Sequence, residues 1–256
     1  MIIPLQTKSD EQMKAAGAAP QGATDERSAA RAVQQMFDEI APRYDLANHL
    51  LSMNVDRLWW WRTARNFAHI LNRPDAQILD LCCGTGDMAT ALHRQMKAPR
   101  FLYAADFSHE MLKRGRQKFL SHSIIAIEAD ALRLPFASNR FDLVTSAFGF
   151  RNLANYEHGL REIYRVLRPN GEIGILDFNE PEGLFGKLYG LYFRNILPKL
   201  GTLISGVSGP YSYLPASVQR FPAPAGMLER MRGAGFKNPT WTPYTFGIAG
   251  LFRGKK

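Results

Sequence analysis

Five side chains in this sequence are spaced so that they could face one ligand: Asp80, Asp106, Asp130, Ser146 and Asp177. Each lies at or near the end of a short apolar run: QILDL, FLYAAD, IIAIEAD, FDLVTSAF and EIGILDF. These runs show no helical spacing, which suits strands buried in a parallel sheet. A carboxylate at the carboxyl end of such a strand can accept hydrogen bonds from hydroxyls or face a cation. One acid alone reads as a loop cap, whereas five in series point to a binding row. After the first acid comes Gly84-Thr85-Gly86-Asp87, where two glycines let the backbone turn sharply and approach a ligand with no Cβ in the way. Met88, Leu92 and Met96 then recur every four residues, so a helix begins at about Asp87 and stops before Pro99.

Strand, glycine turn and helix form a nucleotide-binding corner with two common ligands. Gly84 to Ala89 fits the GxGxxG/A pattern that holds a dinucleotide pyrophosphate at a helix N-terminus. Asp80 and Asp87 argue against it, since two phosphates there would face negative charge at a cost of about 1 kcal/mol or more per pair. S-adenosylmethionine has no phosphate and carries a sulfonium and an ammonium, so acidic neighbours suit it. A methyl donor is favoured and a dinucleotide stays the alternative. Asp106, 20 residues past Gly86, stands where an acid can accept both ribose hydroxyls of an adenosine.

The elements that must position these groups alternate. Ser108 caps a helix carrying Met111, Leu112 and Phe119; Leu160, Ile163, Tyr164 and Leu167 mark another; Arg168-Pro169-Asn170-Gly171 turns into the fifth strand. Strand and helix in alternation predict a doubly wound, mostly parallel α/β sheet. Upstream, residues 1–24 are expected to be a disordered tail, and 25–256 one domain with an N-terminal helical cap. Val33, Met36, Phe37 and Ile40 follow helical spacing until Pro42. Trp59-Trp60-Trp61 leads a helix to about Leu71, and three successive rings cannot share one face, so at least one meets something other than the core.

A chain of 256 residues with 46% hydrophobic content buries one large core and needs no second domain. Cys82 and Cys83 are adjacent on a strand and point apart, so neither a disulfide nor a metal pair is expected, and a reduced, cytoplasmic setting fits. No early segment has the pattern of a secretory signal, and no apolar run reaches a membrane span. The net charge of +9 is carried by the last third: from Gly183 onward ten basic residues face one acid, Glu229. That bias suggests an anionic partner surface, membrane or nucleic acid. Residues 183–222 form a basic, apolar insertion, within which Leu184 to Val207 is suited to lie at a bilayer interface.

The ordered set DLCCGTGD, AADFS, EADALRLPF, FGFRNL and RVLRPNGEIGILDF resembles the class I S-adenosylmethionine-dependent methyltransferases. Within that class it is most similar to the quinone C-methyltransferases acting on demethylmenaquinone and polyprenyl-benzoquinol; FDEIAPRYDLANHLLS and YSYLPASVQRFP are further parts of the likeness. The resemblance implies a seven-stranded sheet and a prenylated quinol resident in the membrane, with a naphthoquinol the preferred reading. It places Gly84, Thr85 and Gly86 against the methionine part of the cofactor, Asp106 on the ribose, Asp130 and Ala131 on the adenine, and Ser146 near the sulfonium. Tyr44, Asp45, Asn48, Arg151 and Asn152 would line the quinol. Arg151 would stabilise a forming phenolate, Asn152 would orient the ring, and Asp45 or a water held by Tyr44 would take the proton. A homodimer is compatible with it. Ala47, Asp56, Asp177 and Asn179 depart from the family pattern and weaken the assignments in the first loop. A nucleic-acid methyltransferase is disfavoured, because Phe148-Gly149-Phe150-Arg151-Asn152 stands where base-amino methylation usually brings a Pro-Pro-aromatic turn.

Overall fold

The computed structural model describes residues 17, 18, 20, 22–41, 54–97, 101–181, 183, 186, 190–191 and 210–256. Tyr44, Asp45, Ala47, Asn48 and nearly all of 184–207 lie outside the described residues. The central sheet has seven strands: β1 (Ile78–Leu81), β2 (Leu102–Asp106), β3 (Ile125–Glu128), β4 (Phe141–Ala147), β5 (Leu167–Phe178), β6 (Lys237–Tyr244) and β7 (Ala249–Lys255). Their order is β3-β2-β1-β4-β5-β7-β6. The first five are parallel, and β7 enters antiparallel between β5 and β6. The sheet therefore grows outward from β1 in one direction and from β4 in the other. The gap between the carboxyl ends of these two strands is the topological switch point where open α/β sheets bind ligands.

Both faces of β1 are buried, which is why its sequence is apolar without a period. Ile78 joins the core on one side with Phe67, Leu71 and Leu92, while Leu79 and Leu81 join the other with Phe150, Leu160 and Met227. Asp80 shares the face of Ile78, beneath α4 (Asp87–Gln95). That helix stands in the chain after α1 (Glu26–Ile40), α2 (Val55–Asn66) and α3 (Ala68–Leu71). The single long helix expected from Trp59 to Leu71 is broken at Phe67, whose φ of −108° is not helical. Trp59 is buried, Trp60 is half-buried, and Trp61 is 43% exposed beneath the Arg65 guanidinium.

Further along, α5 (His109–Ser121) is capped by Ser108, whose Oγ accepts from the Met111 N–H at 3.1 Å. Then come α6 (Tyr156–Val166), α7 (Pro210–Arg220) and α8 (Pro224–Gly233). The expected turn at 168–171 is present as a bulge within β5. Phe141 pairs with Leu167 and Leu143 with Glu172, with Asn170 at φ 66° between them. The tail expected to be disordered as far as residue 24 needs correcting in part. Ala18 is buried, and its N–H donates to the Leu153 carbonyl at 2.7 Å. The cap itself is well anchored. Asp25 and Ser28 form a reciprocal capping box at the start of α1, and Asn155 donates to Glu26 at 2.7 Å.

Candidate active site

At the switch point lies an open cavity whose space, counted with its mouth, is about 710 Å³. Gly84, Asp106, Asp130 and Ala131 line it together with Phe37, Phe148, Asn152 and Leu153. Asp106, from the end of β2, is buried, and its two carboxylate oxygens accept separately from the Gly84 N–H at 2.8 Å and the Ser108 N–H at 2.9 Å. Burial pushes its pKa up to about 6, against the pull of these amides. The helix α1 closes this end. Gln34 donates to the Phe107 carbonyl at 2.7 Å, and Ala30 and Phe37 face the cavity. Asp130 no longer belongs to a strand: β3 stops at Glu128, and the Asp130 carboxylate accepts from the Leu132 N–H at 2.8 Å across a turn.

The glycine corner divides its labour. Gly84 has φ 54°, and a Cβ built there would meet nothing within 4 Å, so its bare backbone opens onto the cavity. Gly86 has φ 89°, and a Cβ there would fall 2.4 Å from the Phe119 ring of α5. Gly86 therefore serves helix packing. Thr85 is buried and its Oγ accepts from Lys118 at 3.2 Å; neither Thr85 nor Gly86 lines the cavity. Lys118 also pairs with Asp87 at 2.7 Å, so Asp87 opposes a phosphate less than its sequence position suggests. Asp80 does not line the cavity: it is fully buried, accepts from the Thr145 hydroxyl at 2.7 Å, and burial raises its pKa to about 7.

Ser146 is buried within β4 and does not reach the cavity wall, which Ala147, Phe148 and Gly149 supply instead. Arg151 is also absent from the lining. Its guanidinium is buried, donating through Nη1 to Asp177 at 2.8 Å and to the Phe148 carbonyl, and through Nε to Ser217 at 3.3 Å. Asp177 returns an acceptor to the Arg151 backbone N–H at 3.0 Å. Next to it, Asn152 does line the cavity. Its Oδ1 accepts from the Tyr213 hydroxyl at 3.2 Å, while its buried Nδ2 has no hydrogen-bond partner. A buried donor without a partner is rare, and it marks Asn152 as a candidate ligand contact.

Several contributors escape sequence reasoning. Cys82 and Phe148 follow β1 and β4 with φ of 53° and 58°, left-handed values costly for non-glycine residues and concentrated at functional sites. Both line the cavity. Burial pushes the Cys82 thiol up, so it carries no thiolate nucleophile. Trp59, Phe148 and Phe178 pack as a ring cluster with centroids 4.6–6.0 Å apart, forming a hydrophobic wall. Tyr213 and Ser217 lie in the stretch YSYLPASVQRFP, but no spacing in the sequence gives them a role.

The residues present suit S-adenosylmethionine. An open cradle at Gly84, the Asp106 and Asp130 carboxylates in the lining and an apolar floor fit a cationic, phosphate-free ligand. Comparison with known proteins agrees. The chain is 45% identical to a demethylmenaquinone methyltransferase of Deinococcus radiodurans over 236 residues, covering 91% of this chain and 95% of that one. It is 46% identical to one of Thermus thermophilus over 224 residues, covering 86% and 100%. A Thermotoga maritima S-adenosylmethionine-dependent methyltransferase, described as a possible histamine N-methyltransferase, shares the fold with a TM-score of 0.61 at 16% identity, covering 88% of this chain and 99% of that one. The model of the ubiE/COQ5 methyltransferase family matches residues 23–256, and this chain belongs to that family.

Proposed function

We propose that the protein methylates a ring carbon of a demethylmenaquinol with S-adenosylmethionine as donor. The observation that carries this reading is a cavity that brings Gly84, Asp106 and Asp130 together with the apolar Phe37 and Phe148 and with Asn152, whose amide nitrogen has no hydrogen-bond partner among the described residues, in a chain 45% identical to a demethylmenaquinone methyltransferase. The donor supplies an electrophilic methyl group on its sulfonium. The residues of this chain bind and orient. Gly84 lets the methionine part lie against bare backbone, Asp106 takes the ribose hydroxyls, and Asp130 with Ala131 borders the adenine.

Toward the quinol, the Asn152 amide donates to a ring oxygen. Tyr213 donates to the amide Oδ1, which leaves the Nδ2 as the donor available to a ligand. A phenolate forming on the ring gains from that donor, and the ring carbon ortho to that oxygen becomes nucleophilic toward the methyl group, afterwards losing its own proton to restore the aromatic ring. Holding the partners in contact supplies several kcal/mol through orientation alone. Arg151, paired with Asp177, holds the turn that presents Asn152 rather than meeting the ring itself. Asp45, or a water held by Tyr44, both residues outside the described ones, remains the proposed acceptor of the phenol proton. Ser146, which lies off the wall, has no direct part.

A quinol with an isoprenoid tail stays in the bilayer, so the enzyme works at an anionic inner membrane surface from the cytoplasm, as a monomer or a homodimer. Among the described residues no helix is long and apolar enough to cross a membrane. The test is incubation with methyl-labelled donor and short-tailed demethylated naphthoquinol or benzoquinol. Label should enter the naphthoquinol ring carbon, and Asn152→Ala should lower kcat by roughly 10²-fold, the scale of a lost oxyanion donor. Label on neither quinol, or an Asn152→Ala variant with unchanged turnover, overturns the reading.

A further inference from the structure

The helix α2 has five exposed residues between Val55 and Asn66: Arg57, Leu58, Trp61, Arg62 and Arg65. Their spacing of one, three, one and three residues puts them on one face. That face carries three guanidiniums and no acid. Among the described residues no carboxylate pairs with any of the three: Arg62 lies over Tyr244 at 4.4 Å and Arg65 over Trp61 at 4.8 Å. Leu58 is 49% and Trp61 43% exposed, although a large apolar side chain normally turns inward on a core helix.

The opposite face of the same helix reaches the cavity wall. Trp59 is buried and packs 5.8 Å from the ring of Phe148, which lines the cavity. A helix is about 10–12 Å across with its side chains. A surface lying against Leu58 and Trp61 is therefore only about one helix diameter from the aromatic wall.

We infer that this face of α2 is a docking surface for an anionic lipid bilayer, with Leu58 and Trp61 entering the acyl boundary and Arg57, Arg62 and Arg65 meeting the headgroups. The inference rests on the proposed membrane-held substrate and names the surface that meets it. Charge complementarity selects the occupant. Arginines without acids suit an anionic surface, and interleaved Trp and Leu suit a bilayer interface better than a nucleic-acid backbone. Each arginine near such a surface is worth roughly fivefold in partitioning, and salt weakens the effect.

The experiment is flotation of the full chain with vesicles of phosphatidylcholine alone or with one-third phosphatidylglycerol, at low and high salt. Wild type should bind the anionic vesicles in a salt-sensitive manner. Arg57→Gln/Arg62→Gln/Arg65→Gln should reduce that partitioning on the order of a hundredfold, and Leu58→Gln/Trp61→Gln should weaken it at high salt as well. Circular dichroism melts confirm that both variants fold. Turnover of a short-tailed, water-soluble quinol separates the two readings. If wild type methylates it and the variants float like wild type, the docking surface is wrong and the activity stands. Variants that lose dimerisation or RNA binding while keeping vesicle binding also overturn it. If nothing is methylated but vesicle binding falls as stated, the surface stands and the substrate does not.

Discussion

Removing Arg151 should unfold the switch point before it touches the chemistry. Its guanidinium is 7% exposed and the Asp177 carboxylate is fully buried. At an effective dielectric of about 20, unit charges 2.8 Å apart attract by about 6 kcal/mol, offset by several kcal/mol of desolvation for each ion. The net value of the pair is therefore small, but deleting one member strands the other. Arg151→Met leaves a buried carboxylate held only by the Arg151 and Phe178 backbone amides, and should cost about 3–5 kcal/mol. For a domain of this size that lowers Tm by roughly 6–20 °C.

The double variant Arg151→Met/Asp177→Leu strands no charge, so it should lose far less than the sum of the two single losses. Arg151→Lys should rescue little. The guanidinium reaches Asp177, Phe148 and Ser217 from three directions, which an ammonium on a flexible stem does not reproduce. Urea unfolding of the wild type, both single variants and the double variant gives the coupling energy directly. A coupling below about 0.5 kcal/mol, or an Arg151→Lys variant as stable as wild type, refutes the buried-pair account and returns Arg151 to a direct catalytic role.

The two glycines of the corner should separate by readout. Gly84→Ala should cost about 1–2 kcal/mol of left-handed strain and weaken S-adenosylmethionine in calorimetry, while Gly86→Ala should add overpacking of roughly 1–3 kcal/mol against Phe119 and lose stability first. Equal stability losses would contradict the assignment. Burial raises Asp80 to about 7 and Asp106 to about 6, both above the ordinary 3.8. The folded state therefore binds more protons than the unfolded one across that window, and this contribution to stability is lost as pH rises from 3.8 to about 7. A cationic cofactor favours the ionised acids, so its affinity should rise as pH climbs through 6 to 7. Asp80→Asn should stabilise the free protein at pH 8 relative to pH 5, as urea melts at the two values would show; a flat difference counts against it.

Much of the sheet is legible because parallel strands buried on both faces leave continuous apolar runs, as ILDL and FDLVTS do. The last two strands are not. Lys237–Tyr244 contains Pro239 and Pro243 and reads as a loop, yet it forms the edge strand β6, where a missing N–H is tolerated. The break at Phe67 is equally silent, since AHIL alone has good helical character. Arg151 and Asp177 are both visible as chemical residues, but their pairing is not, because 26 residues and a whole helix separate them.

The same contrast divides the cavity. The part proposed for the cofactor is built from short local pieces, a glycine corner, an acid closing β2 and an acid in the turn after β3, each bonded to amides two residues away or to the neighbouring corner. Local pieces leave a sequence signature. The part proposed for the substrate is assembled at long range: Tyr213 reaches Asn152 across 61 residues, and Ser217 reaches Arg151 across 66. Its geometry depends on how α7 docks, and α7 lies within the basic, apolar stretch 183–222. Changes in 210–220 should therefore alter which quinol is accepted more than cofactor affinity, because the side-chain hydrogen bonds this helix makes to other elements among the described residues run to Arg151 and Asn152, not to Gly84 or Asp106.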